Sequence, residues 1–131
     1  MLIGEGEKQP EIEVLVSKKG LDKNVIFTGA VTDVWRYLSA MDVFLFPSLW
    51  EGLSIALLEA QANNLPCLVS DTVPVSSNMG LCEFMSLQDN ARQWAARLEG
   101  LQRSEQSAFD GIKKYDIHKV ADKLEHFYRC I

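Results

Sequence analysis

An α/β fold, a Rossmann-like doubly wound parallel sheet, is the architecture this sequence predicts. Three observations carry that expectation. Short, continuously apolar runs recur along the chain, at Val25-Ile26-Phe27, Val43 to Phe46 and Pro66 to Val69, as in strands buried on both faces of a parallel sheet. Between them lie segments with apolar residues at helical spacing, the alternation produced by crossover helices. The chain has 131 residues, enough for one domain with a real core. No internal repeat, low-complexity segment or linker interrupts it.

Met1-Leu2-Ile3 reads as the end of a strand, stopped by Gly4-Glu5-Gly6. A dinucleotide fingerprint would need glycine at position 9, which is Gln9, so this is a tight strand-to-helix turn. Pro10 suits a first helical turn, with Ile12, Val14, Leu15 and Val16 as the apolar set and Gly20 past the C-terminus. Val25 to Gly29 is the next strand. A helix from about Asp33 to Ala40 follows, with Thr32 as N-cap and Val34, Tyr37, Leu38 and Met41 inward. Asp42 to Phe46 is a strand, Leu53 to Asn63 the central helix with Asn64 near its C-cap, and Pro66 to Ser70 a further strand. Asp71 to Gly80 is a loop, and Cys82 to Met85 a last short strand. Three helices close the chain, over Asp89 to Leu101, Glu105 to Lys113 and Ile117 to Cys130. Trp94, Ala95 and Leu98 mark the buried stripe of the first, and Val120, Leu124 and Phe127 that of the last, which Asp116 caps. The three tryptophans are expected in core or edge packing, with Trp50 the one that could serve as a sugar platform.

Composition narrows the function classes. With 18 acidic against 13 basic residues and no dense Lys/Arg run interleaved with aromatics, nucleic acid is not an expected partner. No apolar run approaches the ~20 residues that span a bilayer, and no signal peptide opens the chain. Cys67, Cys82 and Cys130 are odd in number and lack metal-ligand spacing, so they read as reduced, mostly buried thiols of a cytoplasmic protein. His118 and His126 on the last helix read as surface or half-buried imidazoles.

The stretch from Phe46 to Ala62 concentrates the chemistry. A strand runs through Pro47-Ser48 into a helix starting near Gly52. The N-terminal amides of such a helix are unsatisfied and carry its positive dipole end, which suits an anion. Backbone amides of Gly52, Leu53 and Ser54 are therefore candidates for holding a diphosphate. Glu59 lies seven residues beyond Gly52 on the same face, roughly 10 Å along the axis. A nucleotide sugar has a phosphate and hydroxyls separated in this way.

Pro47-Ser48, Glu51-Gly52 and Glu59-Ala60, followed by Leu65-Pro66-Cys67-Leu68-Val69-Ser70-Asp71, resemble the E-x7-E signature region of GT-B fold retaining glycosyltransferases of the group-1 type. Many of those enzymes build bacterial capsular and exopolysaccharides. The resemblance runs from Leu2-Ile3-Gly4 to about Leu101. It implies that Glu51 contacts the donor sugar or supports its anomeric region as the catalytic carboxylate, that Glu59 binds ribose hydroxyls, and that the Ala30-Val31 backbone lies near the base. The last two residues are also, structurally, a βα turn. No metal or other cofactor is implied, since the donor is a substrate and no Asp-x-Asp occurs. Thr72-Val73 and Val75-Ser76-Ser77 depart from the Gly-Gly pair and glutamate of many relatives, and Leu53-Ser54 stands where Phe-Gly is more frequent.

The resemblance further implies that residues 1–131 are a single partial domain, the C-terminal, nucleotide-sugar-binding half of a two-domain enzyme, truncated at its N-terminus. The acceptor domain, the first strand of this domain and the Arg and Lys after that strand have no counterpart. The sheet is then expected to close by pairing Leu2-Ile3 directly with Val43 to Phe46, or to borrow a strand from another copy in an oligomer. Peripheral membrane association is an expectation for the parent enzyme. The leading expectation is transfer of a hexose-type sugar to a glycan acceptor, with the fragment alone inactive. The alternatives are a nucleotide-sugar epimerase half-domain and a non-catalytic Rossmann-like module.

Overall fold

The computed structural model describes residues 1–103, 111 and 113–130. It divides into two compact units, Met1–Tyr37 and Leu38–Ile131. In the first, Leu2 sits in a parallel bridge with Phe27, its N–H donating to the Ile26 carbonyl at 2.8 Å and its carbonyl accepting from Thr28 N–H at 3.1 Å. The strand expected over Val25 to Gly29 is thus reduced to isolated bridges, the second joining Gly4 to Gly29. Helix α1 (Gln9–Lys18) carries Pro10 in its first turn. It ends as expected at Gly20, whose φ of +66° lets its N–H reach Ser17 O while Leu21 N–H reaches Val16 O, a Schellman closure. None of its apolar residues is buried among the described residues.

Helix α2 (Val34–Ser39) begins one residue later than expected, which puts Asp33 rather than Thr32 at the cap position; Leu38 is its buried residue. The second unit is built on three parallel strands in the order β1 (Phe44–Phe46), β2 (Cys67–Ser70), β3 (Cys82–Met85). Phe44 pairs with Cys67, and Cys67 in turn with Cys82. β2 is central and wholly buried, which explains its unbroken apolar sequence. The pairing of Leu2-Ile3 with Val43 to Phe46 is not among the ladders: Leu2 takes Phe27, and β1 takes β2.

Helix α3 (Ile55–Ala62) crosses from β1 to β2 and buries Leu57, Ala60 and Gln61. At its C-terminus Asn64 adopts φ +58° and donates to Gln61 O, while Leu65 N–H reaches Ala60 O and its side chain is fully buried. This is the same closure as α1, with asparagine in the left-handed position and a hydrophobic anchor after it. Helix α4 (Ala91–Glu99) starts with a capping box between Asn90 and Gln93, and its Trp94 is buried with the indole N–H on Ser86 O. Helix α5 (Ile117–Arg129) is capped by Asp116, as expected. Its apolar stripe, however, is not buried: Leu124 and Phe127 are exposed. The helix expected over Glu105 to Lys113 falls mostly on residues outside those described.

Candidate functional site

The residues singled out between strand and helix begin at the C-terminal end of β1, where ligands collect in parallel α/β sheets. The helix does not start at Gly52. Ser54, in extended conformation at φ −80° and ψ 108°, is the N-cap, and its hydroxyl accepts from Leu57 N–H at 3.4 Å. A serine that can cap competes successfully with three further residues of helix. The amides at the helix start are therefore those of Ser54, Ile55 and Ala56, and among the described residues they donate to no protein acceptor. Of the three amides expected from sequence, Ser54 keeps its place; Gly52 and Leu53 lie in the exposed bend before the helix.

This start also moves Glu59. It lies four residues beyond Ile55, on the same helix face and about 6 Å further along the axis. Its side chain is exposed, and among the described residues the carboxylate makes no hydrogen bond or ion pair; only its backbone carbonyl is engaged, by Asn63. The neighbours Ile55 and Ala62 are exposed as well, so the apolar face around Glu59 is an open surface and not core. The buried side of α3 is the opposite one.

Glu51 is half-buried and held by the chain itself. The Ser48 hydroxyl donates to Glu51 Oε1 at 2.8 Å and lies 3.2 Å from Trp50 O. Ser48 thus braces the turn and fixes one carboxylate oxygen, leaving Oε2 open. Trp50 and Leu49 beside it are 84% and 80% exposed. With Leu53 and Ile55 they form an apolar exposed rim around the strand-to-helix turn. Trp35 is exposed too, so of the three tryptophans Trp94 alone is in the core. Val31 belongs to the other unit, half-buried in a turn where Glu5 Oε1 accepts from Ala30 N–H at 3.4 Å.

Several groups that sequence patterns do not announce support the second unit. The Ser70 and Thr72 hydroxyls, at and just beyond the end of β2, both reach the Ser48 carbonyl, at 2.5 and 2.7 Å. Gln61, with no exposed surface, donates to Leu57 O and Ser77 O and accepts from Met79 N–H at 2.7 Å, tying α3 to the loop after β2. Arg103 donates to the carbonyls of Leu38, Ser39, Met41 and Asn63, closing the C-termini of α2 and α3 together. Apart from the bond from Gln61 to Leu57 O within α3, each of these contacts joins segments 16 or more residues apart, so only a residue-pair signal at long range could have revealed them.

Among the described residues no group of three or more His, Cys, Asp or Glu is arranged to hold a metal, and no helix is long and apolar enough to cross a membrane. Cys67 is fully buried and in register with Cys82. The neighbouring Cys82 thiol, through hydrogen bonding, and burial together push the Cys67 thiol far above its ordinary range. Cys130, by contrast, is exposed.

Comparison with known proteins gives consistent results. The family of glycosyl transferases group 1 matches residues 1–104. The Bacillus subtilis (strain 168) protein EpsF, a glycosyltransferase by name, is 37% identical over 97 residues, covering 72% of this chain and 25% of EpsF. An Escherichia coli enzyme named UDP-Gal:alpha-D-GlcNAc-diphosphoundecaprenol alpha-1,3-galactosyltransferase is 39% identical over 72 residues, 54% of this chain and 19% of that one. Among solved structures, WaaG, a glycosyltransferase involved in lipopolysaccharide biosynthesis, superposes with a TM-score of 0.65 at 25% identity, over 75% of this chain and 27% of WaaG. The chain spans about a quarter of the length of these proteins or less.

Proposed function

This chain belongs to the glycosyl transferases of group 1, and from that premise we propose that it is the nucleotide-sugar-binding part of a retaining, hexose-transferring enzyme of polysaccharide biosynthesis. One observation carries the reading. The amides of Ser54, Ile55 and Ala56 and the carboxylate of Glu59, all without a partner among the described residues, stand on one short helix that follows a parallel strand. Amides at a helix N-terminus suit a diphosphate, and a carboxylate about a turn further on suits a pair of ribose hydroxyls.

In this reading the amides and the helix dipole stabilise the leaving diphosphate as the bond to the sugar breaks. Glu51, braced by Ser48, faces the sugar with its open oxygen and orients the anomeric carbon for attack on the same face. Gly52 and Leu53 supply the bend that brings Glu51 ahead of the helix. The donor is a substrate, and no metal is assigned to its binding. The UDP-galactose in the Escherichia coli relative's name makes UDP the first nucleotide to try.

The acceptor is assigned to a second domain, and the apolar rim of Leu49, Trp50, Leu53 and Ile55 is a surface of the kind such a domain covers. The parent enzyme would work in the cytoplasm at the membrane surface, with the fragment alone inactive. Titration of UDP, GDP and their sugar conjugates by ligand-detected NMR, against the chain and its Glu59→Ala variant, tests the reading. One nucleotide should bind, and the substitution should weaken it about 5- to 150-fold, as for a lost charged hydrogen-bond partner. Equal binding by both chains would refute the role of Glu59.

A further inference from the structure

Among the described residues, the bend that carries Glu51 is hydrogen-bonded to the rest of the protein at a single atom. Residues 47–53 make no backbone–backbone hydrogen bond among the described residues. Ser48 Oγ bonds only within the bend, to Trp50 O and Glu51 Oε1. Among the described residues, the hydrogen bonds leaving the bend are the two received by the Ser48 carbonyl, from Ser70 Oγ and Thr72 Oγ1. A carbonyl oxygen has two lone pairs and can accept both. The two hydroxyls also lie 2.9 Å from each other, so they form one compact cluster at the end of the most deeply buried strand.

Resting on the donor-site reading above, we propose that Ser70 and Thr72 are positioning residues for Glu51. They touch no ligand in this scheme. They hold the Ser48 peptide, whose own hydroxyl holds Glu51 Oε1, so the orientation of the remaining carboxylate oxygen is transmitted from β2 through two successive hydrogen bonds. The fixed end is rigid: Ser70 has no exposed surface and ends the central strand, where it pairs with Met85 of β3. The carried end is open, with Trp50 almost fully exposed, so packing does not hold the bend in place of the hydroxyls. Glu59 is independent of this device, because it stands on α3 and not on the bend.

The separation gives a distinctive expectation. Thr72→Val keeps shape and removes the hydroxyl, and Ser70→Ala does the same for its partner. Affinity for a nucleotide sugar should fall about tenfold in Thr72→Val and further in the double variant, while affinity for the bare nucleotide changes less than about twofold. Thr72→Ser, which keeps the hydroxyl, should restore the wild-type value. A purely structural loss would weaken both ligands alike. In parallel, 19F NMR of the chain labelled with fluorotryptophan, with the Trp50 line assigned from Trp50→Phe, reads the bend without any ligand. The Trp50 line should shift or narrow in Thr72→Val and return in Thr72→Ser. An unmoved Trp50 line overturns the fastening. A moved line with unchanged discrimination between nucleotide sugar and nucleotide overturns the positioning of Glu51. Should the wild-type chain bind neither ligand, the donor-site reading fails and Glu51's positioning with it; the Trp50 line then still reports whether the fastening exists.

Discussion

Replacing Gln61 by leucine separates a buried hydrogen-bonding role from a packing role. The side chain has no exposed surface, and leucine is close to it in volume, so no cavity of consequence follows. What is lost is polar. Met79 N–H loses its acceptor and Ser77 O its side-chain donor, while Leu57 O keeps the helical bond from the Gln61 backbone. Ser77 is wholly buried and Met79 nearly so, so water cannot replace these partners. Two orphaned backbone groups at about 1–3 kcal/mol each, partly offset by the apolar gain of leucine, leave a net loss of about 2–4 kcal/mol. With an unfolding entropy of about 0.28 kcal/mol/K for 131 residues, Tm should fall by about 7–14 °C. Calorimetry of the wild type and Gln61→Leu at neutral pH checks this. A variant within about 1 kcal/mol of the wild type would refute the reasoning, since surface-like substitutions stay in that range.

Ser77→Ala should act in the opposite sense. The buried Ser77 hydroxyl finds no hydrogen-bond partner among the described residues, so removing it should leave Tm unchanged or raise stability by about 1 kcal/mol; a clear drop in a urea melt would contradict that. Arg103→Ala should cost about 1–3 kcal/mol, because several helix-terminal carbonyls lose one charged donor, and urea denaturation measures it. The raised Cys67 thiol predicts an alkaline loss of stability. Unfolded chain releases the proton above about pH 8.5 while the native thiol retains it. Stability from this group is therefore full below that pH and declines above it, and Cys67→Ala should flatten the decline. In thiol labelling of the native chain, Cys130 should react first and Cys67 last.

Sequence carried a good part of this architecture because some signals are local. The apolar run before Ser70 could only be a strand buried on both faces, and Asn64 marked the C-terminal end of the central helix. Asp116 announced the start of the last helix. Other expectations failed where a local pattern has no say in its partner. The apolar faces of α1 and α5 have helical spacing, yet spacing reports a face and not what covers it. The helix expected from Leu53 loses its first two residues to Ser54, whose capping bond outcompetes further helix. Trp50 and Trp35, expected in core or edge packing, are exposed, as the sugar-platform alternative for Trp50 requires. For the candidate site, Glu51 and Glu59 were visible as a spacing, but the amides at the helix start shifted by two residues. The hydroxyls of Ser70 and Thr72 and the amide of Gln61 were invisible, since small polar residues in a sequence give no sign of a distant carbonyl.

Arg103 has a consequence for exchanging parts between related chains. A single guanidinium donates at the ends of two helices that are far apart in sequence, so each end is completed in part by a third segment. A graft that took the strands and α3 from one relative and the following segment from another would inherit bare carbonyls at both ends unless the donor segment brought an arginine to the same register. Lysine is not equivalent there, because it lacks the planar fork that sets donors on Nε, Nη1 and Nη2 against these carbonyls. The stretch around residue 103 therefore sets a natural seam for recombination: crossovers beyond it should yield folded hybrids, and crossovers before it should depend on that one side chain.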